Sequence, residues 1–195
     1  MRNGTLQSIG PVNQIIEEYI SYGKFNSGQV LEADIQYNQR SSQTYFNVIR
    51  IVSNNDITSN VDIKNEVAVE LEYTITEDGA QVYPSIHLLD NMGTIILATF
   101  NGQSATTVTD EYFGKPLKKG RYMSRLIIPG SFLNEKTYSI NAYLVPLDAS
   151  DMAVVEDALS FTVTDTGAMR KEYSGEWIGQ IRPKMAWNTN FLGVA

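Results

Sequence analysis

From about Val30 the chain changes its rhythm. Apolar and polar residues alternate with a period of two, and that alternation holds across most of residues 44–164. Val30 to Gln36 and Thr44 to Ser53 read as strands, the second with Ile49 and Ile51 on one face and Arg50 on the other. Glu66 to Thr76 sets Val67, Val69, Leu71, Tyr73 and Ile75 against Glu70, Glu72 and Thr74. Tyr83 to Leu89 turns Ile86 and Leu88 inward and Ser85 and His87 outward. Asp90-Asn91-Met92-Gly93 is a tight hairpin signal, answered by Thr94 to Phe100. Arg121 to Ile128 ends at Pro129-Gly130. Lys136 to Pro146 places Tyr138, Ile140, Ala142 and Leu144 opposite Ser139, Asn141 and Tyr143, and Val155 to Thr164 closes the series. About eight strands, separated by turn signals and by gaps too short for crossover helices, predict an all-β, immunoglobulin-like antiparallel β-sandwich. Val69, Leu71, Ile86, Leu88, Ile140 and Phe161 are its expected core.

Two stretches depart from this pattern. Near the N-terminus, Thr5 to Ile9 is strand-like and runs into Gly10-Pro11. Ile15, Ile16, Tyr19 and Ile20 then recur at helical spacing until Gly23, which predicts a short amphipathic helix followed by a polar linker, Lys24 to Gly28. Near the C-terminus, Asp165-Thr166-Gly167 breaks the last strand. Tyr173, Trp177, Ile181 and Trp187 follow, spaced by glycines. Solvated tails are ordinarily small and polar, so these groups need a surface. Either they fold back on their own domain or they pack across a subunit boundary. Between the strands, residues 101–119 form a long polar excursion containing Tyr112 and Phe113.

Composition narrows the function. A length of 195 residues suits one domain with appendages, and a formal charge of −7 argues against nucleic acid as a partner. The chain has no Cys and a single His, which leaves no disulfide framework and no zinc set. No apolar run approaches the roughly 18 residues of a membrane span, and the expectation is a cytosolic domain without metal or cofactor.

Catalytic constellations are weak. His87 has Ser85 on the same strand, too rigidly placed to form a nucleophile–base pair. Glu70 and Glu72 share a strand face at roughly 7 Å. Paired carboxylates hydrolyse glycosides, but Glu-x-Glu on a strand is far more often a solvated face. Asp148, Asp151, Glu156 and Asp157 lack the spacing of a calcium loop. A binding surface remains. By analogy with immunoglobulin sandwiches, the strands at Tyr83, Lys136 and Val155 are sheet neighbours. Ser85, His87, Asn141, Tyr143, Ser160 and Thr162 then line one outer face. Arg50, Arg121 and Arg125 are the available cations for an acidic ligand.

Three groups of motifs carry a resemblance to a known family. The first is N-G-x-L-x-x-I-G-x-x-x-x-I-I-x-x-Y at the start. The second comprises H-L-L-D-N-M-G-T-I-I and I-P-G-x-x-L-N-x-x-x-Y-x-I in the middle. The third runs from F-T-V-T-D-T-G through Tyr173-x-Gly-x-Trp-x-Gly-x-Ile-Arg-Pro to Trp187. Together they resemble the ATPase subunit of polysaccharide-exporting ABC transporters of the Wzt type. Residues 1–28 resemble the end of its ATPase domain and linker, and residues 29–195 its C-terminal carbohydrate-binding domain. No G-x-x-x-x-G-K-[ST] loop is present, so the chain resembles the tail portion of such a subunit, not its ATPase.

The resemblance implies a non-catalytic domain that binds the non-reducing end of an O-antigen or related glycan. It implies a location at the inner face of the inner membrane through the transporter's membrane subunit. It also implies a homodimer formed by exchange of the C-terminal strand segment, residues 168–195, with Tyr173, Trp177, Ile181 and Trp187 as the exchanged contacts. A structural or adhesive sandwich module, and a glycoside hydrolase accessory or catalytic domain, are the alternatives.

Overall fold

The computed structural model describes residues 28–35, 40–173 and 175–193. The expected N-terminal strand and helix lie outside the described residues. Among the described residues, ten strands build two five-stranded sheets. The first has the order β1 (Gln29–Leu31), β2 (Thr44–Ser53), β5 (Val67–Ile75), β8 (Gly120–Ile128), with β3 (Asp56–Ile57) paired to β2. The second has the order β4 (Asn60–Asp62), β10 (Ala153–Thr164), β9 (Thr137–Pro146), β6 (Val82–Leu89), β7 (Ile95–Phe100). The inward rows pack face to face: Phe46, Ile49, Ile51, Val69 and Leu71 from one sheet, Ile86, Leu88, Ile140, Leu144 and Phe161 from the other. The six residues expected in the core are all buried there. The product is the expected β-sandwich.

Three details depart from the sequence pattern. The strand expected over Val30 to Gln36 ends at Leu31 and gives way to a 3-10 turn, Glu32–Asp34. Its partner β2 bulges at Asn47: Phe46 pairs with Tyr73 and Val48 with Glu72, leaving Asn47 unmatched. Asn47 instead donates to Glu32 and accepts from Thr74 Oγ1. The extra residue bends the strand and flips its parity, which is why Thr44 and Phe46 are buried together with Ile49 and Ile51. Second, the sandwich is not wholly antiparallel, because β4 pairs in parallel with the end of β10, Val61 opposite Val163. Third, β10 carries a larger bulge. Val155 faces Ala142 and Leu159 faces Ile140, so Glu156, Asp157 and Ala158 all stand opposite Asn141.

The connection after β8 shows why a glycine is needed. A Cβ on Gly130 would lie 2.1 Å from the Lys64 carbonyl oxygen. The next residue, Ser131, donates its N–H to Ile63 O at 2.7 Å. The chain crosses from one sheet to the other against backbone, with no room for a side chain.

Candidate functional site

The outward row of the second sheet assembles the candidate face. On β6 and β9, Ser85 stands opposite Tyr143 and His87 opposite Asn141. The His87 and Tyr143 rings meet diagonally, with centroids 4.5 Å apart, as neighbours one step apart on adjacent strands do. His87 Nδ1 is buried and has no hydrogen-bond partner among the described residues. Asn141 is partly occupied with structure: its Oδ1 accepts the Asp157 N–H at 2.8 Å and so caps the β10 bulge.

The remaining two candidates lie further along. Ser160 stands opposite Ser139 and both are buried. Thr162 shares a 2.9 Å hydrogen bond with Thr137 at the far end of the face. The structure therefore brings Ser85, His87, Asn141 and Tyr143 together. It places Ser160 and Thr162 at a distance along the strands, where one is covered and the other is paired.

Beside Ser85 the same face opens into a groove of about 510 Å³, lined by Tyr83, Ala98, Phe100, Phe113, Val145 and Leu147 among others. The volume falls in the range of small-ligand sites. Phe113 is brought in by residues 101–119. Its ring sits 5.2 Å from Tyr83 and 6.1 Å from Phe100. The loop is pinned at the other sheet by Tyr112, edge-on to Tyr122 at 5.7 Å, and internally by Asn101 Nδ2 donating to Asp110 at 3.0 Å. Behind it, between the sheets, lies a second cavity of about 260 Å³ that shares Thr99, Phe100 and Ala105 as a wall.

Tyr83, Phe100 and Phe113 were not among the residues expected from sequence. The signal for the first was present, since Tyr83 is two residues from Ser85 and must share its face. Phe100 is directly opposite Ser85 across the β6–β7 pair. The contact made by Phe113 depends on how the loop folds, which strand periodicity does not encode.

The arginines considered for an acidic ligand lie on the opposite sheet. Arg50 Nε is 2.6 Å from Glu70, and Arg50 also reaches Glu72 at 3.7 Å. Arg121 pairs with Glu72, and Arg125 with Glu70 at 3.6 Å. Glu70 is buried within this ladder, not on a solvated face as expected from sequence, because cross-strand partners stand on both sides of it. Two carboxylates held by three arginines lack the free acid and free base that glycoside hydrolysis requires.

The segment after β10 docks on its own sandwich as far as Arg182. Leu133 and Ile181 form a bridge. The Arg182 N–H donates to Phe132 O at 2.7 Å. Asn134 Nδ2 donates to the carbonyls of Trp177 and Gly179 at 2.9 and 2.8 Å. The Tyr138 hydroxyl donates to Gln180 O at 2.7 Å, and burial pushes its pKa above the usual tyrosine value. Tyr173 meets Trp177 edge-on at 5.6 Å, and the Arg182 guanidinium lies 4.1 Å over the Trp177 ring. Past Arg182, Met185, Trp187, Phe191 and Leu192 are all strongly exposed.

These features define an all-β sandwich with an aromatic-lined groove on one sheet and a docked C-terminal segment. Among the described residues, no helix is long and apolar enough to cross a membrane. No protein-family model matches the chain, and no curated protein matches it. Among solved structures it is similar to the crystal structure of the C-terminal domain of Wzt. The TM-score is 0.55, at 13% sequence identity, over 80% of this chain and 93% of that one. The two share a fold, which is the fold expected from the sequence motifs.

Proposed function

We propose that residues 29–195 form a non-catalytic carbohydrate-binding domain. It recognises the non-reducing end of a bacterial O-antigen or other surface polysaccharide for export by an ABC transporter. The observation that carries this reading is the groove at Tyr83, Phe100 and Phe113. Ser85 lines it and stands beside His87, Asn141 and Tyr143 on the same sheet face, on a sandwich with the fold of the Wzt C-terminal domain. Aromatic faces bind the C–H surface of a sugar ring, and the neighbouring hydroxyl, amide and imidazole groups exchange hydrogen bonds with its hydroxyls. Residues 1–28 are read as the end of an ATPase domain and its linker. Through that parent subunit the domain would sit in the cytoplasm, against the transporter's membrane subunit at the inner membrane.

The proposal includes a homodimer in which C-terminal segments are exchanged. Its support is the row of exposed apolar side chains beyond Arg182. Because Trp177 and Ile181 already contact their own domain and Tyr173 packs on Trp177, they serve as the anchor of the segment, and Trp187 begins the part offered to a partner. Two sites in one dimer raise avidity for a repetitive polymer.

Binding of the cognate polysaccharide, with no release of smaller products, tests the reading. Alanine at His87 or Tyr143 should weaken binding while leaving the melting temperature within a few degrees. Parent-like binding by both variants would remove these residues from the site.

A further inference from the structure

The groove is unusual for a sugar site in what it lacks. Among the described residues, no Lys, Arg, Asp or Glu lines it. Its hydroxyls are mostly engaged: Ser85 Oγ donates to Thr99 O at 2.9 Å, and Thr99 Oγ1 donates to Ala105 O at 3.3 Å. The cations nearest in type, Arg50, Arg121 and Arg125, are on the other sheet and matched by Glu70 and Glu72. The chain as a whole carries a formal charge of −7. A carboxylate entering this groove would lose water and gain no cationic side chain among the lining residues, which is unfavourable. A hydroxymethyl group would lose its hydrogen bonds to water against Phe100, Phe113, Val145 and Leu147 without replacement. A methyl group would lose nothing and gain contact.

We propose that the groove selects a neutral glycan residue with an alkyl substituent, of the 6-deoxyhexose class, over the corresponding hexose or hexuronic acid. The methyl-bearing edge packs on the contiguous apolar surface formed by Tyr83, Phe100 and Phe113, while the ring hydroxyls face His87 and Tyr143, where the surface becomes polar. This rests on the reading of the domain as glycan-binding and names the class of sugar.

The test is calorimetric titration of the full chain with three trisaccharides that differ only at the exocyclic carbon: 6-deoxyhexose, hexose and hexuronic acid, in both the manno and the galacto series. In at least one series the 6-deoxy form is expected to bind about tenfold or more tightly than the hexose, the scale of one alkyl group in an apolar pocket. The uronic acid should show no measurable binding. Phe113→Ala, in a loop outside the core sheets, should reduce the preference for the 6-deoxy form to within about threefold. Hexose or uronic acid binding as tightly as the deoxy sugar overturns the selectivity and leaves glycan binding standing. A preference unchanged in Phe113→Ala overturns the assignment to this groove. No binding of any of the six by a folded protein overturns the glycan-binding reading, and the selectivity with it.

Discussion

Arg182 Nη1 lies 3.3 Å from Asp165 Oδ2, with side-chain exposures of only 9% and 0%. The pair joins the turn that ends β10 to the docked C-terminal segment. The same guanidinium donates to Met169 O and covers the face of Trp177. One planar cation thus satisfies a buried carboxylate, a carbonyl and an aromatic ring, a combination suited to arginine and not to lysine. Arg170 is a weaker second partner, 3.6 Å from Asp165.

Removal of Arg182 therefore leaves a buried carboxylate with reduced compensation. Arg182→Ala is expected to destabilise the domain by about 1.5–3 kcal/mol, the range for losing hydrogen bonds to a charged group. Arg182→Lys should keep part of the charge interaction and lose the fork and the stacking. Urea unfolding of the three proteins checks the order parent, lysine, alanine. An alanine variant as stable as the parent would show that the segment is not held by this pair.

The same carboxylate gives a pH dependence. Burial pushes the Asp165 pKa up, but N–H groups of Met169 and Gly167 together with Arg182 and Arg170 outweigh it and hold it below the usual carboxylate value. A depressed folded-state pKa means that the unfolded chain binds the proton more readily. The stabilisation is complete above the unfolded value of about 3.9 and is lost as pH falls through the folded one. Asp62, lowered chiefly by the Thr166 hydroxyl, acts in the same direction. Melting temperature should fall between about pH 5 and pH 2. Asp165→Asn should start lower at neutral pH and fall less steeply. Parallel curves for the two proteins would remove Asp165 from the acid response.

Much of the fold was legible because strands buried on one face write their parity into the sequence. β2, β5 and β9 agree with expectation within a residue at either end; β5 and β9 owe this to an unbroken run such as Tyr138, Ile140, Ala142 and Leu144, and β2 keeps its bounds although its parity flips at Asn47. β3 and β4 were not legible, since two and three residues are too few to show a period. The bulges were hidden for a related reason. Asn47 and Asp157 are polar residues in alternating strands, and nothing local tells an unmatched residue from an outward-facing one. The candidate face was half legible: Ser85, His87, Asn141 and Tyr143 follow from strand adjacency, whereas Ser160 shows that an outward register position need not be exposed. Phe113 is a long-range contact from a loop, and only the folded chain places it.

Glu70 illustrates the difference between a polar strand position and a solvated one. Its side chain is 10% exposed, with Arg50 and Arg125 on either side. Glu70→Gln keeps the shape and removes the charge, and is expected to cost about 1–3 kcal/mol. A double-mutant cycle with Arg50→Gln should return a coupling of about 0.5–3 kcal/mol. A coupling near zero would mean that the ladder contributes no more than exposed surface pairs do.

The exchange of C-terminal segments makes a prediction with two cutting points. Trp187, Phe191 and Leu192 are 91%, 85% and 96% exposed. Burial of such side chains contributes about 1.5–3 kcal/mol each, and a symmetric exchange buries both copies. That gain is of the order needed to offset the roughly 4–15 kcal/mol cost of association and leave micromolar affinity. The full chain is therefore expected to sediment as a dimer at micromolar concentration. A chain ending at Arg182 keeps Asn134, Tyr138 and Asp165 paired with the docked segment, and should be a monomer that melts close to the parent domain. A chain ending at Gly167 strips those partners away, leaving the buried Asn134 amide without its two acceptors and the Tyr138 hydroxyl with Asn134 O alone, and should be a monomer of clearly lower stability. A full-length monomer at tens of micromolar would refute the exchange. A dimer that survives the cut at Arg182 would move the interface off the tail and onto the sandwich itself.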